Sequence, residues 1–280
     1  MKPAPPVTIH FAKAPEHTLS PVELLFPAMR RFEFPGKRRL RLRLRVPSEG
    51  ARVVRFPEGM ALRLDLRESL QRDFYAGLHD RHELRIVKRL LAGGGDFVDV
   101  GAHIGLYTVH AARLLRGSGR VLAFEPNAEA RKQLEANVRL NECDNVIVSA
   151  KAASNAAGAA RLAVPHSPDP SFSTLGAASF DADSVAVETT TVDEEVERNG
   201  LSPALVKIDV QDHEVEVLEG MTRTLGTRPA LLCEVGDGTR LAVVERLRGW
   251  SAFRIGTRRL TRGLDDARGY VNALFLPEPS

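Results

Sequence analysis

The segment Phe97-Val-Asp-Val-Gly-Ala-His-Ile-Gly105 carries the sharpest chemical signal in this 280-residue sequence. A short apolar run ends in Asp99, two glycines four apart (Gly101 and Gly105) form a turn, and a helix-forming stretch begins at once. Glycine lets the backbone curl beneath a ligand with no Cβ in the way, and a helix start offers unpaired N–H donors and a positive dipole end. A second acid, Glu125 in Val121-Leu-Ala-Phe-Glu-Pro-Asn127, lies twenty residues beyond Gly105 at the end of the next apolar run. A carboxylate there can accept hydrogen bonds from both hydroxyls of a ribose. Together the two signals point to a nucleoside.

Two nucleoside cofactors compete for such a turn. Dinucleotide sites favour GxGxxG, which lets a helix N-terminus approach a pyrophosphate. Here His103 puts a bulky side chain where that motif has its middle glycine. S-adenosylmethionine has no phosphate, and its ammonium suits an acid near Asp99. The residues favour the methyl donor. A nicotinamide-dependent oxidoreductase and a nucleoside-binding scaffold without turnover stand as the alternatives. No Ser-His-Asp or Cys-His spacing and no GxxxxGK[ST] occurs.

The elements that must position these residues follow from periodicity. From Asp80 onward the pattern alternates: a helix stopped by Gly93-Gly-Gly95, strand Phe97–Val100, helix Leu106–Leu115, strand Arg120–Phe124, helix Ala128–Asn141 and strand Val146–Ala150. Strand Leu205–Val210, helix Glu214–Leu225, strand Ala230–Val235, helix Leu241–Trp250 and strand Tyr270–Leu276 complete it. Such alternation demands an α/β fold with a mostly parallel sheet. The Ser/Pro/Asp/Ala-rich stretch between Pro165 and Asp183 reads as a long loop. Residues 1–36, punctuated by seven prolines, read as an irregular arm with one short helix at Val22–Phe34. Arg39–Val46 alternates Arg with Leu or Val, as a half-buried edge strand would. Arg52–Phe56 and Ala61–Leu66 alternate similarly, so residues 1–74 divide off as an arm and a small antiparallel β element ahead of a main domain at 75–280.

Composition narrows the class. A hydrophobic fraction of 43% with 27% charged residues excludes a disordered, collagenous or membrane-embedded chain. No run approaches the roughly 18 apolar residues that span a bilayer. The first thirty residues lack a signal-peptide core, and Cys143 and Cys233, far apart, read as packing thiols in a reducing compartment, so the expected location is cytoplasmic. Residues 1–60 hold twelve Lys/Arg against five Asp/Glu, but no aromatics are interleaved in the arginine face at Arg39–Arg45 for base stacking and no NPPY-type base-flipping motif occurs, so nucleic acid is not the expected partner. The basic strand and arm would serve a second copy of the chain as readily as a substrate. His110 and Trp250 read as structural, His79 and His82 as helix caps or parts of a lid, and His166 has nothing local to support a role.

Six motifs in order resemble the FkbM-type methyltransferases: FVDVGAHIGLYT, AFEPN, the Ala152-Ala-Ser-Asn155 turn, VDEEVERNG, Lys207-Ile-Asp-Val-Gln-Asp-His-Glu-Val-Glu-Val-Leu-Glu-Gly220, and Val271-Asn-Ala-Leu-Phe-Leu-Pro277. The resemblance covers about residues 75–277. It implies a class I methyltransferase fold, a Rossmann-like seven-stranded sheet with its last strand antiparallel, and transfer of a methyl group from S-adenosylmethionine, mostly to hydroxyls of natural products, sugars and glycolipids. By position it assigns Asp99, Gly101, His103 and Gly105 to the cofactor turn, Glu125 to the ribose with Asn127 beside it, Ser154 to the neighbourhood of the adenine, and Asp209 to the acid facing the methyl group.

Two departures stand out: Asp212 replaces the glycine of DVEGxE or DVQGxE, and Ala150 stands where Asn is common. An alcohol must lose its proton on methylation, so a base or an acidifying metal helps. Asp209 is expected to orient the methionine end or the acceptor, and His213, near a helix N-terminus that disfavours its protonated form, to act as base. Glu234 is a candidate acceptor contact. No metal is expected; were Mg²⁺ held, Asp209, Asp212 and Glu234 would supply its oxygens.

Overall fold

The computed structural model describes residues 25–32, 37–44, 46–78, 80–165, 173–175, 182–256 and 259–279. Expectations for the first 24 residues, most of the 165–183 stretch, His79 and His166 fall outside them.

Largely apolar runs become parallel strands, because both faces of a parallel sheet are covered. They are β3 (Asp96–Val100), β4 (Val121–Phe124), β10 (Pro203–Ile208) and β11 (Ala230–Val235), with the half-buried β5 (Val146–Ser149) at the edge. The closing strand β14 (Val271–Pro277) runs antiparallel to β11, and β12 (Trp250–Ile255) antiparallel to β14. With β13 (Leu260–Arg262) at the edge, the order is β13-β12-β14-β11-β10-β3-β4-β5. This is the expected mostly parallel sheet with its last strand reversed, plus one short strand beyond seven.

Successive residues of β3 show why the sheet needs helices on both sides. Phe97 joins a core with Leu84 and Val87 of α4 (Arg81–Leu90) and Val109 of α5 (Leu106–Leu114). Val98 joins a second core with Val192 of α7 (Val192–Arg198), Val217 of α8 (Glu214–Glu219) and Val243 of α10 (Arg240–Arg246). The order steps outward in opposite directions from β3, toward β10 and toward β4. Open α/β sheets bind ligands at the carboxyl ends of such a switch point.

Ahead of the sheet lie α1 (Phe26–Arg31), α2 (Lys37–Arg43), the hairpin β1 (Ala51–Arg55) and β2 (Ala61–Asp65), and α3 (Ser69–Tyr75). The hairpin is antiparallel as expected. It shares the core that contains Phe97 and Val121, through Val54, Leu62 and Leu64. Helix α6 (Ala128–Leu140) seats it with amides: Asn137 Oδ1 accepts the Arg63 N–H at 2.7 Å, and Asn141 Oδ1 accepts that of Ala61 at 2.9 Å. The two asparagines stand in for a neighbouring strand.

Four elements differ from expectation. The Arg39–Val46 alternation does not form a strand; Lys37–Arg43 is helical, and the Leu44 N–H bonds to the Leu40 carbonyl at 3.2 Å. Arg and Leu both favour helix over strand, and no β-branched residue precedes Val46 to oppose it. The helix assigned to Leu241–Trp250 ends at Arg246, and Trp250 opens β12 after Gly249 at φ +91°. Around the 165–183 stretch, β7 (Gly158–Pro165) and β9 (Ala182–Thr190) pair over eight positions, with β6 (Ala152–Ala153) and β8 (Thr174–Leu175) completing a small sheet. Ala, Ser and Asp have low strand propensity, so the pairing rests on the cross-strand partner rather than on local pattern. The expected Glu214–Leu225 helix breaks into α8 and α9 (Thr222–Gly226).

Candidate active site

At the end of β3 the chain turns under constraint. Gly101 sits at φ +80°, and a Cβ there would lie 1.9 Å from the Asp209 carbonyl oxygen. The Asp209 N–H in turn bonds to the Val100 carbonyl at 3.0 Å, so the ends of β3 and β10 are locked together. Gly105, at φ +89°, opens α5 in a conformation that side-chain-bearing residues avoid. His103 takes φ +49° between them, and its N–H donates to Glu125 Oε2 at 2.7 Å. The other oxygen of Glu125 accepts the Asn127 N–H at 2.9 Å. Each carboxylate oxygen keeps a second lone pair, and the side chain lines the cavity beside the turn. Burial pushes the Glu125 pKa up, opposed by His103 and by the two N–H donors.

The cavity, about 410 Å³, runs from Glu125 across the strand ends to Asp209 and Glu234. At this far end Lys207 Nζ donates to Asp209 Oδ2 at 2.9 Å, stands 3.9 Å from Asp99 Oδ1, and lies 4.7 Å from the Tyr107 ring centre. Burial disfavours the Lys207 charge, but Asp209 and Asp99 outweigh it and hold the ammonium. Burial likewise opposes the Asp209 anion, and Lys207 with its neighbouring donors keeps its pKa below the ordinary value. Gln211 Nε2 donates to Glu234 Oε2 at 2.9 Å and approaches Asp209 Oδ1 at 3.4 Å. Burial first, then the Asp209 charge, pushes Glu234 up to about 8.

Six sequence-derived candidates meet on this cavity: Gly101, His103, Glu125, Asp209, His213 and Glu234. The others support it from behind. Asp99 is fully buried, accepting the Thr108 hydroxyl at 2.6 Å on Oδ2 while Oδ1 has no hydrogen-bond partner. Gly105 starts α5, and Asn127 caps α6 by accepting the N–H groups of Glu129 and Ala130. The Ser154 hydroxyl meets His213 Nε2 at 3.0 Å, while His213 Nδ1 stands 3.5 Å from Glu216. Burial holds the His213 pKa down, as a neutral imidazole requires.

Asp212 adopts φ +70°, the left-handed conformation a glycine supplies freely, and its carboxylate bonds to the Tyr270 hydroxyl. Among the described residues, no group of three or more His, Cys, Asp and Glu side chains is placed to hold a metal ion. His82 is tied to the Gly256 carbonyl, and His110 is buried against the Leu84 carbonyl, as a structural histidine.

Sequence reasoning missed Lys207, Tyr107, Asp80, Gln211 and Asn272, all of which line the cavity. The Tyr107 hydroxyl donates to Asp80 Oδ2 at 2.9 Å. A lysine inside the apolar run Leu-Val-Lys-Ile, two residues before an acid, was a readable signal, since lysine is rarely buried unpaired. Nothing local marks the others. Leu70 and Phe74 of α3 also line the wall, which brings the N-terminal segment into the site.

Among solved structures the chain is similar to a precorrin-6y C5,15-methyltransferase from Geobacter metallireducens, at 13% identity over 71% of this chain and 88% of that one, TM-score 0.44. It is similar to an rRNA methylase from Streptococcus thermophilus at 12% identity over 71% and 95%, TM-score 0.43. A third likeness is to M. jannaschii TYW2 in complex with AdoMet, at 15% identity over 84% and 90%, TM-score 0.41. No curated protein matches the sequence. The sequence profile of the methyltransferase FkbM domain matches residues 99–248, from Asp99 in β3 to just beyond α10, and on that match the chain belongs to the FkbM methyltransferase family.

Proposed function

We propose that the protein transfers the methyl group of S-adenosylmethionine to a hydroxyl of a small metabolite, in the class of natural products, sugars and glycolipids. The observation that carries this reading is the single cavity linking Glu125 to Asp209 and Glu234. Its volume, about 410 Å³, suits small ligands.

The residues present fit the donor. Glu125 keeps one lone pair on each oxygen for ribose hydroxyls, and at Gly101 the turn presents bare backbone to the cavity. Asp73, Asp80, Glu125, Asp209 and Glu234 on the wall outnumber Lys207 and favour a ligand bearing sulfonium and ammonium charges. When bound, S-adenosylmethionine supplies an activated methyl group. The protein's part is to hold the acceptor oxygen in line with it, about 3 Å away, and to take up the acceptor's proton. Asp209, fixed by Lys207, orients the methionine end or the acceptor. His213 and Glu234 are the groups facing the cavity that can receive a proton.

The same acidic lining supports a small acceptor over a nucleic acid, whose phosphates it would repel. Val54, Leu62 and Leu64 share a core with Phe97 and Val121, so the division at residues 74 and 75 is one of role: the donor site lies beyond it, and α3 at the boundary helps select the acceptor.

The test is transfer from S-[methyl-¹³C]adenosylmethionine to a panel of hydroxylated sugars and phenols, with matched amines and total RNA alongside. The reading expects a new O–CH₃ resonance in hydroxylated compounds only. Labelled N–CH₃ groups or labelled RNA would contradict it.

A further inference from the structure

We infer that Glu234 is the proton carrier of the cavity: it holds a proton while a neutral sulfur occupies the donor site, surrenders it when a sulfonium enters, and regains one from the acceptor hydroxyl. This deepens the methyl-transfer reading above and rests on it.

The geometry begins with two carboxyl groups that share one amide. Gln211 Nε2 reaches Glu234 at 2.9 Å and Asp209 at 3.4 Å, so one amide holds the two carboxyl groups side by side. Only one of them has a cation in contact, Asp209 with Lys207 at 2.9 Å. The lysine is shared further with Asp99 at 3.9 Å, so one positive charge faces three carboxyl groups. Like charges this close cannot all ionise in a buried site, and the proton settles on the member with no cation of its own. That member is Glu234, whose pKa burial and then the Asp209 charge push up to about 8.

Among the described residues, the remaining surroundings supply no other counter-charge. From β14, Asn272 sits opposite Glu234 in register, but its amide is turned to Glu83, itself pushed up to about 7 by burial and by Asp80. Tyr270 feels the Glu234 charge only as a further reason to stay protonated, as does the buried thiol of Cys233. His213 is occupied elsewhere, with Nε2 on Ser154 and Nδ1 facing Glu216. What the cluster lacks is a cation on the cavity side, and a sulfonium is a cation that the spent thioether is not.

The proton count closes over a turnover. Glu234 releases its proton to solvent as the sulfonium binds. During transfer the acceptor's O–H bond breaks, its oxygen gains the methyl group, the sulfur loses its positive charge with the broken C–S bond, and the proton passes to the Glu234 carboxylate. The product state is then the one in which Glu234 is protonated, and no other reactant is needed. Gln211 is the positioning residue that holds the pair. The two sulfur ligands share their nucleoside and amino-acid ends, so any difference between them reports the charge at sulfur.

Calorimetric titration at pH 7, in two buffers of different ionisation enthalpy, tests this with S-adenosylmethionine and S-adenosylhomocysteine as the probes. The inference expects about one proton released on binding the sulfonium and none on binding the thioether. It also expects sulfonium affinity to rise up to about tenfold per pH unit between pH 6 and 8, with thioether affinity flat. Glu234→Gln should abolish both differences. Gln211→Leu, which removes a donor that stabilises the Glu234 anion, should move the rise to higher pH, and it decides the matter if the first variant fails to fold. Equal proton release for the two ligands, or release that survives in Glu234→Gln, would overturn the inference alone. Binding of neither ligand would overturn the donor assignment and this inference with it.

Discussion

The two ends of the cavity are built on different physics. At the Glu125 end the work falls to backbone: two glycines at positive φ, the N–H groups of His103 and Asn127, and one carboxylate. At the Asp209 end it falls to charged and polar side chains from β10, β11, β14 and α5 that meet only in the folded state. Backbone sites leave a local trace, because only glycine tolerates the turn. Side-chain sites leave none until topology brings the strands together. The first end should therefore fail when geometry is changed, the second when charge is changed.

The largest effect is expected where the ends touch. Gly101→Ala drives a Cβ into the Asp209 carbonyl and keeps a positive φ, so unfolding by urea should show a loss of roughly 4 kcal/mol or no folded protein. Gly117→Ala, also at φ +80° but with open space around it, should cost only about 1 kcal/mol. Equal losses would mean that the close approach at Gly101 is not what fixes the turn.

Lys207→Met attacks the charged end. It leaves Asp99 and Asp209 without their cation, a change that costs about 3–5 kcal/mol when a buried pair is broken. The loss should shrink at low pH, where both acids take up protons, and a pH-independent loss would argue for packing instead. Glu125→Ala should weaken S-adenosylhomocysteine about 100-fold in titration calorimetry, since two hydrogen bonds to a charged acceptor vanish along with the His103 and Asn127 anchors.

A smaller effect separates pH from geometry. Glu83, Glu214 and Glu234 are raised to about 7, about 7 and about 8, chiefly by burial. The folded chain then holds protons that the unfolded chain has already released, so stability falls as pH rises from about 4.5 to about 8. Glu214 lies beside the site, not in it, taking the Thr239 hydroxyl and the Asp212 N–H. Glu214→Gln should flatten that fall by on the order of 2 kcal/mol at pH 8, read from thermal melts across the range. The smallest effect belongs to the hairpin seat: Asn137→Ala should cost about 1–2 kcal/mol by leaving the Arg63 N–H unpaired.

The same contrast explains what the sequence disclosed. The βα alternation from Asp80 through β5, the two glycines and Glu125 are local patterns, and each lies where its period or spacing implies, whereas the later Glu214–Leu225 and Leu241–Trp250 helices stop short of theirs. Asp212 reads in sequence as a departure from the family glycine, yet it holds the glycine's conformation at φ +70° and adds a bond to Tyr270. The Arg39–Val46 alternation misled because a period of two in Arg and Leu competes with their helix preference. The β7–β9 pairing stayed hidden because Ala-rich strands carry almost no periodic signal of their own. Tyr107, Asn272 and Asp80 lie on three separate elements, and no spacing in the chain encodes their meeting.

The most direct measurement is calorimetric titration of the whole chain with S-adenosylhomocysteine, with NADH in parallel. Binding of the first alone, weakened about 100-fold by Glu125→Ala, is the predicted result. Binding of NADH in its place would contradict the argument from His103 and the donor assignment built on it.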